Sequence, residues 1–235
     1  MHRLFRLSIV AIFCILSIKA FGLQLKFNFQ PGKIYDYEFS GSENSAFSAY
    51  KMTHSDGNKK TSAEFSIRSI AFQDGAFIVD IGSSNGTIRR YIKENGEIKC
   101  APGESGLAVP FLITLPGDDW KINEKKQFRK ELFLGSQKIT AAWNLLLKSH
   151  DAEKNIAEIL FVLGLKMPED RLRKKDLSLK GRVLFNVSNG VIQQAEWNSS
   201  YQLELINKEI AVSRPLWNFS RQTSHSLLLK NIREQ

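Results

Sequence analysis

The side chains best suited by type to covalent or metal chemistry are Ser105, Cys100, His54, His150 and His225. Ser105 lies in Gly103-Glu104-Ser105-Gly106, one residue short of the Gly-x-Ser-x-Gly elbow that exposes a hydrolase nucleophile. Cys100 with His54 or His150 as its base would make a thiol nucleophile, but no local spacing pairs them, and a lone buried thiol is the simpler account. The histidines are too far apart for a His-x-x-x-His ligand pair. Asp118-Asp119 follows Pro116-Gly117 as turn residues do, which accounts for them without a calcium ion. No carboxylate stands in an apolar, aromatic setting that would raise its pKa for acid–base work on a sugar. The expectation is therefore no catalytic residue, no metal and no cofactor: a non-catalytic binding protein, not an enzyme.

Binding is where the composition points. Phenylalanine occurs 16 times, and most of these rings must be core. The rest could line an apolar face. Trp197, Tyr201 and Leu203 share one side of a strand pattern, with the small Ala195 and Ser199 beside the two rings, so these three are candidate ligand-wall residues. Phe111 and Leu112 are candidates from the segment 101–116, which Pro102-Gly103, Gly106 and Pro110 interrupt. That segment reads either as a connection plugging one end of the sheet or as a flap over an apolar cavity. Lys166, Arg171, Arg173, Lys174 and Lys175 form a basic stretch that would contact anionic head groups, or simply stand in water as a charged loop. The partner expected is an apolar small molecule or lipid. The alternative is an envelope or extracellular protein bound at a sheet edge or face. A formal charge of +9 is too modest to imply nucleic acid.

Such a face has to be positioned by strands. Residues 180–206 read as two strands around Ser188-Asn189-Gly190. In the second, Val191, Gln193, Ala195, Trp197, Ser199, Tyr201, Leu203 and Leu205 alternate with a largely polar set, the two-residue period of a strand with one wet face. Similar runs cover 46–53, 62–72, 76–81 and 87–92, separated by Asp56-Gly57, Asp74-Gly75, Asn85-Gly86 and Asn95-Gly96, dipeptides that favour tight hairpins. Further strands are expected over 127–134, 138–148, 155–167 and around 224–229. The nearly continuous apolar run 156–165 could be a buried helix, but a polar turn before it and Gly164 near its end favour a strand. The fold class expected is all-β: an antiparallel meander forming a strongly curved sheet or incomplete barrel. A long meander that buries one face must curl to protect its edges.

The stretch Phe29-Gln30-Pro31-Gly32-Lys33-Ile34-Tyr35-Asp36-Tyr37-Glu38-Phe39-Ser40-Gly41 resembles the opening of the β-barrel in vitellogenin-like lipid-transfer proteins. That opening also joins a Pro-Gly-Lys turn to a strand with alternating tyrosines, and the likeness extends loosely to residue 81. It implies a β-barrel-like fold and a lipid ligand, and it hands over no catalytic residue. Pro116-Gly117-Asp118-Asp119-Trp120 and the hairpin over 181–191 are similar to features of uncharacterised exported bacterial β proteins.

The first residues carry Arg3 and Arg6 ahead of an apolar run over 7–18. A run of about a dozen residues is short for a membrane span, which needs about 20, and suits the core of a signal peptide. Ala20 and Gly22 place small residues where a signal peptidase inspects them. The expected organisation is a signal peptide over 1–22 and a single β-rich domain over 23–235, periplasmic or secreted, with no transmembrane span after cleavage. Without Arg3, Arg6 and Lys19 the formal charge falls from +9 to +6. Cys100 becomes the one cysteine of the mature chain, so a packed core must stabilise it instead of a disulfide. N-terminal sequencing of protein from its native host is expected to begin at Leu23; a chain retained from Met1 in the cytoplasm would contradict this.

Overall fold

The computed structural model describes residues 22–49, 52–99, 113–134, 137–166, 173–205 and 217–235. These form an eleven-stranded antiparallel sheet: β1 (Lys33–Ala49), β2 (Met52–Gln73), β3 (Ala76–Ser83), β4 (Gly86–Lys93), β5 (Ile98–Lys99), β6 (Lys125–Leu134), β7 (Gln137–Asp151), β8 (Ile156–Lys166), β9 (Arg173–Asn186), β10 (Val191–Leu205) and β11 (Trp217–Glu234). The order across the sheet is β5-β4-β3-β2-β1-β11-β10-β9-β8-β7-β6. Two runs of consecutive hairpins are thus joined where β1 pairs with β11, from Lys33 opposite Glu234 to Ala49 opposite Trp217. The free edges, β5 and β6, are consecutive in the chain. The sheet is a curled meander that stops short of closing into a barrel.

Alternation along each strand divides the sheet into two faces. The inner one carries Tyr35 and Tyr37 of β1, Ile67 of β2, Val79 of β3, Ile92 of β4, and Trp143, Leu145, Phe161, Leu163, Val183 and Ala195 from β7 to β10, all buried. The cover for this face comes from outside the strands. Leu25, Phe27 and Phe29 alternate along residues 23–29 and point into the core, and Ile113, Leu115 and Trp120 join them. Phe27 meets Phe185 edge-on at 5.4 Å, and Phe29 meets Tyr35 at 5.3 Å and Phe77 at 5.8 Å. These residues form a wedge between the two halves of the sheet.

The backbone fixes the wedge. Phe27 N–H donates to the Glu94 carbonyl at 2.6 Å, and Asn28 N–H to the Gly190 carbonyl at 2.8 Å. The β4–β5 turn and the β9–β10 turn therefore grip it from opposite sides. Gly96 and Gly190 both have positive φ, 84° and 63°. A Cβ on Gly96 would lie 2.5 Å from the Phe27 ring, and one on Gly190 would lie 2.5 Å from Asn28 Cβ. Both glycines thus serve the turn and the close approach together. The Leu23 and Trp120 backbones exchange hydrogen bonds of 2.8 and 3.1 Å, and Trp120 Nε1 donates to the Glu124 carbonyl at 2.9 Å. The buried Tyr37 hydroxyl donates to the Ile192 carbonyl at 3.1 Å, and burial pushes its pKa up.

The free edges approach each other through side chains. Lys130 of β6 and Lys93 of β4 both pair with Glu97, in the turn before β5. Burial raises the Glu97 pKa, but its bonds to the two lysines outweigh this and hold the carboxyl below the usual range.

The all-β, antiparallel expectation holds, and residues 156–165 are a strand. Asp74-Gly75, Asn85-Gly86, Asn95-Gly96 and Asn189-Gly190 all turn the chain as expected. Two expectations are corrected. Residues 46–53 are not one strand, because the chain reverses between Ala49 and Met52, which pair. Asp56-Gly57 is no turn: it lies inside β2, where Glu43 pairs with Lys59 but Ser45 with Asp56. Gly57 and Asn58 therefore face Asn44 alone, a β-bulge, which a flexible Asp-Gly pair also permits.

Phe29→Ala is expected to cost about 3–5 kcal/mol, because it empties a fully enclosed ring site. Glu97→Gln leaves the wedge intact and is expected to cost only about 1 kcal/mol. Since Glu97 is depressed in the folded state, its contribution is present above the unfolded carboxylate range and is lost as pH falls through the folded pKa. Urea midpoints at neutral and acid pH test both; equal losses for the two variants would contradict the wedge as the main support.

Candidate functional site

Beyond the wedge, cross-strand register lays the inner face out in rows. One row runs Phe161, Gly181, Trp197, His225, Gly41 and Thr61 from β8 to β2. The His225, Trp197 and Phe39 rings form a triangular cluster, His225 at 5.3 Å from Trp197 and 5.1 Å from Phe39, and those two 6.0 Å from each other. The glycines make room for this shelf. A Cβ on Gly181 would lie 2.1 Å from the Glu196 carbonyl oxygen and 2.6 Å from Trp197 Cβ, and one on Gly41 would lie 2.5 Å from His225 Nδ1.

The next rows diverge in character from one side of the sheet to the other. Trp143, Leu163 and Leu179 continue into Ser199, Thr223, Glu43 and Lys59. Ala141, Leu165 and Leu177 continue into Tyr201, Arg221, Ser45 and Asp56. Leu203 faces Phe219, which faces Phe47. From β7 to β9 these rows are apolar. Beyond them polar pairs mix in: Ser199 Oγ of β10 meets Thr223 Oγ1 at 2.6 Å, Arg221 pairs with Glu43, and Lys59 reaches Asp56 at 3.5 Å, whereas Phe219 and Phe47 keep the last row apolar. In the row of Tyr201 the boundary falls between β10 and β11, where Tyr201 stands opposite Arg221 and its ring lies 6.1 Å from that of Phe219.

The candidate residues separate in this geometry. Trp197 is 5% exposed and belongs to the packed shelf, whereas Tyr201 and Leu203 are half-buried on the same face further along the strand. Phe111, Leu112 and Arg171 lie outside the described residues. Ile113 and Leu115, at the end of the same 101–116 segment, are buried in the core. Lys166 ends β8 and is exposed. The charged-loop reading is corrected for Arg173, Lys174 and Lys175, which belong to β9 and pair with Leu205, Glu204 and Leu203. Asp118 accepts a hydrogen bond from Lys126 at 2.8 Å.

Sequence reasoning weighed His225 only as a metal ligand and missed its place in this shelf, along with Gly41 and Gly181. Nothing near His225 distinguishes it, since its neighbours on the shelf come from other strands. The isolated glycines within strand patterns were the available signal, because such positions mark close approach. His225 Nδ1 is buried without a hydrogen-bond partner among the described residues. Burial lowers the His225 pKa, the Arg221 charge lowers it further, and Glu43 partly opposes them.

No protein-family model matches the chain, and no curated protein matches it in sequence. Among solved structures it is similar to lipovitellin, described in terms of lipid–protein interactions, with 11% identity and a TM-score of 0.44. The match covers 88% of this chain and 26% of that one, so the chain spans about a quarter of the lipovitellin chain. It is also similar to an outer membrane channel from Pseudomonas putida F1, with 9% identity and a TM-score of 0.25, over 87% of this chain and 97% of that one. At these scores neither likeness bears on the site.

His225 refuses a proton in the folded state that the unfolded chain accepts below about pH 6.5. Its contribution to stability is therefore present above that pH and is lost as pH falls toward the lower folded value. Thermal melts from about pH 7.5 to about pH 5.5 are expected to show a smaller loss of Tm for His225→Phe than for the wild type. Parallel pH profiles would remove His225 as a source of acid sensitivity.

Proposed function

We propose that this is an exported, non-catalytic binding protein that carries a lipid-like or other apolar ligand on the inner face of its curled sheet. The observation that carries the reading is the apolar wall beyond the wedge: Leu163, Leu165, Leu177, Leu179, Tyr201 and Leu203 occupy adjacent strands on one face. Leu163, Leu165 and Leu179 are buried in the core, whereas Leu177, Tyr201 and Leu203, further along β9 and β10, remain half-buried and would form the exposed part of the wall. Ligand sites are concave and mainly apolar, with a few polar groups that set orientation, and the Arg221–Glu43 side of the boundary supplies such groups. Export rests on the signal peptide read over residues 1–22.

A second reading, an envelope or extracellular protein that binds another protein, is favoured by one feature of β2. Its residues 52–64 extend past the end of β3, where Phe65 pairs with Ser83, and have β1 as their one strand neighbour among the described residues. A free edge of that length can receive a partner strand, although Lys59, Lys60 and the bulge at Gly57-Asn58 blunt it.

Organic extraction of purified protein followed by mass spectrometry is expected to yield a stoichiometric apolar molecule. Tyr201→Ala and Leu203→Asp are expected to weaken uptake of a fluorescent fatty acid at least about tenfold while shifting the denaturation midpoint little. Trp197→Ala, on the packed shelf, is expected to cost about 3–5 kcal/mol of stability. An empty wild-type protein that takes up no probe would overturn the carrier reading.

A further inference from the structure

We propose that the outer face of β6–β9 docks on an anionic lipid surface. This proposal concerns the opposite side of the sheet and does not rest on the inner-face ligand.

A single-layer sheet with one wet face should turn polar side chains outward at every second position. β8 departs from this. Ile159, Phe161, Leu163 and Leu165 point inward and are buried, yet Leu160 and Val162 between them point outward. Leu160 pairs across to Leu146 of β7, and Val162 is 38% exposed. Ala142 and Gly164 continue the row pattern without polar groups, and Phe133 of β6 is 43% exposed on the same face. Leu146, Leu160 and Val162 line a shallow outer groove of about 510 Å³, which Gln127, Asn144 and Asn198 also line. Core packing does not require an apolar patch there.

The charges around the patch have one dominant sign. Register places Lys125, Arg129, Lys138, Lys166, Lys180 and Arg182 on this face, all exposed, against Glu131 and Glu158 on the same strands and Asp176 at the position opposite Lys166. Lys138 pairs with Glu131 at 2.6 Å, and Arg182 pairs with Glu196 of β10 at 3.2 Å. Lys125, Arg129 and Lys180 have no carboxylate partner among the described residues. Lys125 and Lys180 flank the groove itself. The cations are spread over four strands, a width of about 14 Å, instead of being gathered at one point. Spread lysines and arginines around shallow apolar side chains suit a fluid anionic surface, which accepts charge anywhere and lets apolar groups enter the head-group layer. An acidic protein partner would favour localised pairs and a deeper anchoring pocket. Lys166, expected from sequence to meet anionic head groups, sits at the end of this face, so the contact expected of a loop moves to the strands.

The test is flotation of the full domain with phosphatidylglycerol vesicles and with phosphatidylcholine vesicles, at low and high salt. Wild-type protein is expected to float with the anionic vesicles alone and to be released by salt, because screening removes the attraction. Lys125→Ser combined with Lys180→Ser is expected to weaken binding about 25-fold, about fivefold per lysine. Val162→Glu is expected to weaken it at unchanged ionic strength by opposing entry into the head groups. Both variants alter exposed positions, and unchanged circular dichroism and denaturation midpoints verify their folding. Equal binding to both vesicle types, no binding to either, or double-variant binding equal to wild type would each overturn the proposal. So would capture of an acidic protein by this face without vesicle binding.

Discussion

The wedge at Phe27 is the contact on which the rest of the fold depends. A single sheet can bury a face only if something lies against it, and among the described residues the strands supply no second layer. Residues 23–29 provide that layer at one end, held by the carbonyls of Glu94 and Gly190 in two turns that are far apart in the sheet order. The same two hydrogen bonds therefore seat the aromatic rings and set how far the sheet curls. The Glu97 pairs with Lys93 and Lys130 add a lateral tie between the edges without forming a ladder.

Among the described residues that cover lies at one end, and the inner face has two regimes. Near the wedge every inward side chain is enclosed. Further along, the face divides sideways into apolar rows on β7–β9 and a side from β10 to β2 where hydrogen-bonded and ion-paired groups mix with Phe219 and Phe47. The shelf of Phe39, His225 and Trp197 marks the transition. Its rings pack because Gly41 and Gly181 stand beside them in the same row, where any side chain would collide with the neighbouring strand. A histidine in that place is kept neutral by its surroundings, which makes it a packing residue more than a reactive one.

The outer face follows a separate logic. On β1, β10 and β11 it is dominated by serine, asparagine and acid–base pairs such as Asp36 with Arg233 and Glu38 with Lys230. On β6–β9 the acids thin out and Leu160 and Val162 face outward. The two halves of the sheet thus differ on both faces. That asymmetry would let one protein hold an apolar molecule inside and meet a surface outside.

What the sequence determined by itself is local. Alternation along residues 191–205 and the Asx-Gly turns identify strands and hairpins, because both follow from a period of two and from backbone sterics that act within a few residues. That physics also placed Trp197 and Tyr201 on one side of a strand. Where two local outcomes are similar in energy, as a turn or a bulge at Asp56-Gly57, only the pairing of β1 with β2 decided between them. The pairing of β1 with β11 across nearly the whole chain, the wedge, and the meeting of Trp197 with His225 were decided by tertiary structure. Each joins residues whose separation carries no periodic signal, so burial of the shared face, and not any local preference, selects them. The apolar run 156–165 shows the division well: its composition fixed an apolar strand or helix, but only its neighbours decided which side chains would be covered and which would face outward.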